Sequence, residues 1–181
     1  MEVKKMRNMP EVKLGLIAVS RDCFPITLSD RRSQEVVAAA KEQGVEIYRS
    51  KTVVESETDM LKAVDDIQAE GVNALVVYLG NFGPESAETI IAQKFAGPVM
   101  YVAAAEESQE DLVQGRGDAY CGMLNCSYNL ALRGCKAIIP EYPVGRPEDV
   151  AKMIAEFIPV ARAILGLKNL KVFTFGPRPQ D

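Results

Sequence analysis

The stretch VVYLGNFGPESAETI, residues 76–90, decides the fold. Its first four residues form a short apolar run of the kind that makes a fully buried strand. Its last residues read as a helix opened near Pro84, where the missing amide of proline costs nothing. A turn with Gly80, Asn81, Phe82 and Gly83 joins the two. Asn81 and Phe82 therefore stand on a strand tip, where an amide and an aromatic ring are hard to bury.

Strand and helix go on alternating along the chain, without an internal sequence repeat. Residues 13–19, KLGLIAV, read as a buried strand, SRDCFPITLSD as a loop, and residues 30–43 as a helix with Ser29 as cap and Gly44 as stop. Residues 45–50 alternate as a second strand. SETD at 56–59 has the form of a capping box and opens a helix that runs to Glu70. Residues 73–79 and 99–103 are the third and fourth strands, with a helix ending near Phe95 between them. Residues 106–117 read as an acidic loop with a helical turn, and 123–134 as a helix flanked by Gly122 and closed by Gly134. PEYPVGRPEDV is a punctuated link. Beyond it, Val150, Met153, Ile154, Phe157, Ile158, Ala161 and Leu165 keep helical spacing, with a kink predicted at Pro159. LKVFTFG, 170–176, restarts an apolar strand.

Strands alternating with helices predict an α/β fold: a doubly wound parallel sheet, Rossmann-like or flavodoxin-like, with helices on both faces. Residues 1–167 are predicted to form this domain and 168–181 to begin a second one. Ligands of such sheets bind beyond the carboxyl ends of the strands, where SRDCFP, GNFGPES and AAAEES all emerge.

Composition narrows the chemistry. The net charge of -4 and pI near 5.1 argue against a nucleic-acid surface. No apolar run is long enough to span a bilayer, and MEVKKMRNMPEVK lacks the apolar core of a signal peptide, so the expected location is cytoplasmic. The chain has no histidine, which removes the commonest general base and the usual zinc sites. There is no GxGxxG and no P-loop. Cys23, Cys121, Cys126 and Cys135 form no CxxC pair and read as free thiols. Cys23 and Cys126 could act as a two-thiol acid/base pair, as in racemases on similar sheets, although small buried hydrophobes are the commoner role. Glu106 and Glu107 could bind a metal, although consecutive carboxylates in a polar loop are usually solvated. Arg21, directly after the first strand, could hold a hydroxyl pair, a carboxylate or a sulfonate, or could pair with Asp22 or Asp30.

KLGLIAVSRDCFP, the opening stretch and AYCGMLNCSYNLALRGC, taken in order, resemble the L-fucose/L-arabinose isomerase family, as a related branch. Leu124, Asn125 and Ser127 look like that family's Leu-Asn-x-Ser segment. The resemblance implies the Rossmann-like first domain of a longer homo-oligomer, trimer or hexamer, that interconverts aldoses and ketoses with Mn²⁺. The metal ligands would lie outside this chain, and this domain would help close a neighbour's pocket. By position, Arg21 would touch substrate hydroxyls, and Asn81 or Phe82 would correspond to a ring that packs on the sugar. Cys126 and Asn129 fall where arabinose isomerases place a glutamine and a histidine. The alternative is a stand-alone small-ligand-binding α/β domain, or a racemase-like enzyme using Cys23 and Cys126.

Overall fold

The computed structural model describes residues 9–108, 115–168 and 170–176. Five parallel strands, β1 (Leu14–Val19), β2 (Ile47–Arg49), β3 (Ala74–Leu79), β4 (Val99–Ala104) and β5 (Val144–Gly145), lie in the order β2-β1-β3-β4-β5. This is the flavodoxin-like variant of the doubly wound sheet predicted from the alternation. β1, β3 and β4 are buried along their whole length, which explains why they read as unbroken apolar runs. β1 and β3 pair in register from Leu14 with Ala74 to Val19 with Leu79, so their ends are level and their loops emerge side by side.

The helices are α1 (Ile26–Glu42), α2 (Glu57–Ala69), α3 (Glu85–Lys94), α4 (Ala119–Leu132) and α5 (Pro147–Lys168). α1 packs with α5 on one face, and α2, α3 and α4 cover the other. Ser56 caps α2 as its sequence form predicts: its Oγ accepts from the Asp59 amide at 3.2 Å and donates to Asp59 Oδ2 at 2.7 Å. None of the helices among the described residues is long and apolar enough to cross a membrane.

Several boundaries differ from the sequence expectation, each for a tertiary reason. α1 starts at Ile26 rather than residue 30, and Ser29 is inside it. The Ser29 hydroxyl donates instead to the carbonyl of Val19 at 2.7 Å, tying α1 to the end of β1. α4 starts at Ala119, and Gly122 lies within it. A Cβ there would stand 2.0 Å from the Phe82 carbonyl oxygen, so this glycine marks a close approach and not a helix end. Two residues of the punctuated link, Val144 and Gly145, add β5 to the sheet edge beside β4. α5, by contrast, runs through Pro159 to Lys168, in keeping with the helical spacing read from Val150 to Leu165. Residues 170–176 form no strand: Val172, Phe173 and Phe175 are exposed, and an apolar run without a neighbouring strand has no ladder to join. The helical turn expected after Glu106 falls largely on residues outside the described set.

Candidate functional site at the carboxyl edge

The chain leaves β1 toward β2 on one side and leaves β3 toward β4 on the other. The loops after β1 and β3 thus flank the switch point of the sheet, the usual ligand position of such folds. Asn81 joins them. Its Oδ1 accepts from the amides of Arg21 (3.0 Å) and Gly83 (3.3 Å), and its Nδ2 donates to Ser20 Oγ (2.8 Å) and the Pro25 carbonyl (3.3 Å). The side chain is fully buried. The expectation of an Asn81 exposed on a strand tip is therefore corrected, because the two loops fold over the amide and use both its ends.

The glycines beside it serve packing. A Cβ on Gly80 would meet Ser29 Oγ at 2.4 Å. Gly83 has φ +78°, and a Cβ there would lie 2.1 Å from Glu88 Oε2. Asn81 held beneath and these close contacts force the intervening residue, Phe82, outward.

Phe82 is half-buried and forms the floor of an open shelf. Its ring stacks on Phe24, centroids 6.1 Å apart and planes 3° from parallel. The Arg21 guanidinium lies over the Phe82 ring, 5.0 Å from its centroid. Arg21 Nη1 also donates to Glu85 Oε1 at 2.9 Å. The same oxygen accepts from Asn125 Nδ2 at 2.6 Å, and Asn129 Nδ2 donates to Asn125 Oδ1 at 2.6 Å. The arginine thus pairs with Glu85 rather than Asp22 or Asp30; Asp30 is taken by Arg49 at 2.8 Å. The Arg21 and Glu85 side chains are 38% and 42% exposed. An ion pair so exposed contributes about 0–1 kcal/mol, so a ligand can redirect either group at little cost. An aromatic plane carrying a guanidinium, a carboxylate and amides suits a polyhydroxy compound. The ring covers a C–H face, and the polar groups pair with hydroxyls.

Under the shelf lies a group that the sequence reading missed. Glu88, in the first turn of α3, is fully buried, and neither carboxylate oxygen has a regular hydrogen-bond partner. Burial pushes its pKa up to about 8; the neighbouring Cys126 thiol and Arg21 oppose that rise, and Glu85 adds to it. Cys126, expected to line a pocket, is itself buried against Glu88, and burial raises its thiol further from ionisation. That is the opposite of what an acid/base thiol needs, and it removes support from the pairing with exposed Cys23. Glu107 is exposed, as expected of a polar loop, and Glu106 is half-buried, but both are engaged by arginines rather than free for a metal. Glu106 Oε2 accepts from buried Arg32 at 2.8 Å and Glu107 Oε1 from Arg31 at 2.8 Å. Among the described residues no group of three or more carboxylates and thiols could hold a metal ion.

The shelf therefore brings Arg21 and Phe82 together, with Asn129 at its rim, and leaves Asn81 and Cys126 beneath it. Glu85 and Asn125 complete it. Their signal in the sequence was weak: a carboxylate directly after Pro84, and an asparagine inside an apolar helix.

Among solved structures, the chain aligns with the lac repressor dimer bound to operator and the anti-inducer ONPF at 10% identity and TM-score 0.41, covering 86% of this chain and 54% of that one. It also aligns with a ribose 5-phosphate isomerase of Thermotoga maritima at 15% identity and TM-score 0.32, covering 81% and 99%. The chain thus spans about half the length of the repressor chain. No curated protein matches it. The family model for the N-terminal domain of fucose/sulfoquinovose isomerase matches residues 15–168, from β1 through α5, and the chain belongs to that family.

Proposed function

We propose that this chain is the amino-terminal domain of a metal-dependent aldose–ketose isomerase, and that its shelf contacts sugar held in a neighbouring subunit's active site. The observation that carries the reading is the Arg21 guanidinium seated on Phe82 and paired only loosely with Glu85, at the switch point. The two sugars in the family's name fit such a group, since a guanidinium fork pairs with sugar hydroxyls or with a sulfonate. In this reading the Mn²⁺ is bound by ligands outside this chain, and no catalytic step is assigned to residues here. The chain alone is then inactive on aldoses. The domain ends near residue 167, and the residues beyond it begin another.

The role in an oligomer is supported by α4. Tyr120, Leu124, Tyr128 and Leu132 recur every four residues on one face of that helix, each more than half exposed. Asn125 and Asn129 lie beside this stripe, so a subunit covering it would also border the shelf.

The test is steady-state kinetics, with Mn²⁺, of the natural gene product containing this domain, on L-fucose and sulfoquinovose. Losing a charge-assisted hydrogen bond corresponds to roughly a tenfold effect or more. Arg21→Ala and Phe82→Leu should therefore raise KM about tenfold while kcat changes less. Unchanged KM and kcat in both variants would reduce the shelf to a structural loop. Absence of isomerase activity in the natural protein would refute the reading itself.

A further inference from the structure

A cleft of about 410 Å³ opens on the other face of the sheet, between α1, the end of β4 and the start of α5. Tyr78 of β3 forms its floor. This residue is 1% exposed and lines the cleft, and no described residue hydrogen-bonds its hydroxyl. Arg32 lines it too, 3% exposed; its Nη1 donates to the Gly80 carbonyl and its Nη2 to Glu106, but its Nε has no hydrogen-bond partner among the described residues. A polar group buried without a partner costs about 1–3 kcal/mol. Arg32 Nε is one such group, with only Glu107 Oε1 near it at 3.8 Å, and the Tyr78 hydroxyl beside it is likewise free to meet a ligand.

The charges around the cleft select the ligand's class. Arg31 is neutralised by Glu35 at 2.7 Å and Glu107 at 2.8 Å, and Arg32 by Glu106. That leaves Arg146 and Glu148 on the α5 side, one of each sign and neither in an ion pair among the described residues. With its arginines and glutamates balanced, the cleft has no preference for an anion or a cation. Fixed ion pairs offer both donors and acceptors in known places, which hydroxyl groups can match in both senses. The volume lies in the range of small-molecule sites.

We propose that this cleft binds a small uncharged polyhydroxy compound, a polyol or sugar, at a site separate from the shelf. The inference does not depend on the isomerase reading. Tyr78 supplies a hydroxyl beneath the ligand, and Arg146 and Glu148 close on it from the start of α5.

The experiment is a titration of the ¹⁵N-labelled chain with xylitol, and separately with inorganic phosphate, followed by amide chemical shifts. Xylitol should produce saturable shifts at Ala104, Ala105, Gly145 and Arg146. Tyr78→Phe removes no hydrogen bond to a described residue and should fold as the wild type does, with xylitol binding weakened about fivefold, the worth of one neutral hydrogen bond. Arg146→Gln, an exposed change, should weaken it similarly and serves if Tyr78→Phe fails to fold. Shifts confined to the Arg21–Gly83 loops, no saturable shifts with xylitol, equal affinity in the variants, or a response to phosphate alone would each overturn the proposal.

Discussion

Replacing Glu88 by glutamine should change how the stability of this chain depends on pH. In the folded state burial holds the Glu88 carboxyl protonated up to about pH 8, whereas the unfolded chain ionises it near the ordinary value of 4.5. The sign follows from proton counts. Below about pH 4.5 both states carry the proton, and the group contributes no pH dependence. Between 4.5 and about 8 the folded state holds a proton that the unfolded state has lost, so stability falls as pH rises. Each pH unit in that window corresponds to roughly 1.4 kcal/mol, giving about 3 kcal/mol by neutral pH. The groups facing Glu88 are Cys126, Glu85 and Arg21. Cys126 stays neutral throughout, since burial raises its thiol.

The window is clean because the chain has no histidine. The other resolved shifts lie outside it: Asp59, Asp66 and Glu107 are lowered from ordinary carboxyl values. Tyr48, Tyr78 and Tyr101 are raised from already alkaline ones. Glutamine keeps the size of the protonated carboxyl and cannot ionise. Urea unfolding of both proteins between about pH 5 and pH 7.5 should show similar stability at the acid end. The variant should gain on the wild type by about 3 kcal/mol toward the alkaline end. Parallel pH dependences in the two proteins would refute the reasoning: Glu88 would then be ionised in the fold or equally accessible in both states.

Asn81→Ala removes four hydrogen bonds, three of them joining the loops after β1 and β3, and should cost about 3 kcal/mol in chemical denaturation while loosening Arg21 and Phe82, read as faster amide exchange at Arg21 and Gly83. Gly122→Ala sets a methyl 2.0 Å from a backbone oxygen that cannot move far, so urea unfolding should show a loss of about 3 kcal/mol despite the better helix propensity of alanine. Ser56→Ala removes the cap of α2 and should lower stability by about 1 kcal/mol, visible as an earlier urea midpoint with unchanged slope.

The parts of this protein legible in the sequence are those governed by neighbours along the chain. Apolar runs such as LGLIAV and ALVVYL declare buried parallel strands, because a strand covered on both faces needs no polar alternation. SETD declares its helix start, since cap and capped amide lie three residues apart. Alternation of strand and helix then leaves a doubly wound sheet as the economical arrangement, and with it the edge where a ligand sits. Side-chain fates at that edge were decided elsewhere. Asn81 is buried because its partners Ser20 and Arg21 are about sixty residues away in sequence but adjacent across paired strands. Residue 122 is a glycine because the Phe82 carbonyl crosses it, Ser29 is internal because its hydroxyl reaches the Val19 carbonyl, and burial beside Gly83 and Cys126 raises the Glu88 carboxyl. Periodicity reports which face a residue takes. Only the folded chain decides which distant group meets it there, because hydrogen bonding and desolvation depend on atoms that sequence spacing does not bring together.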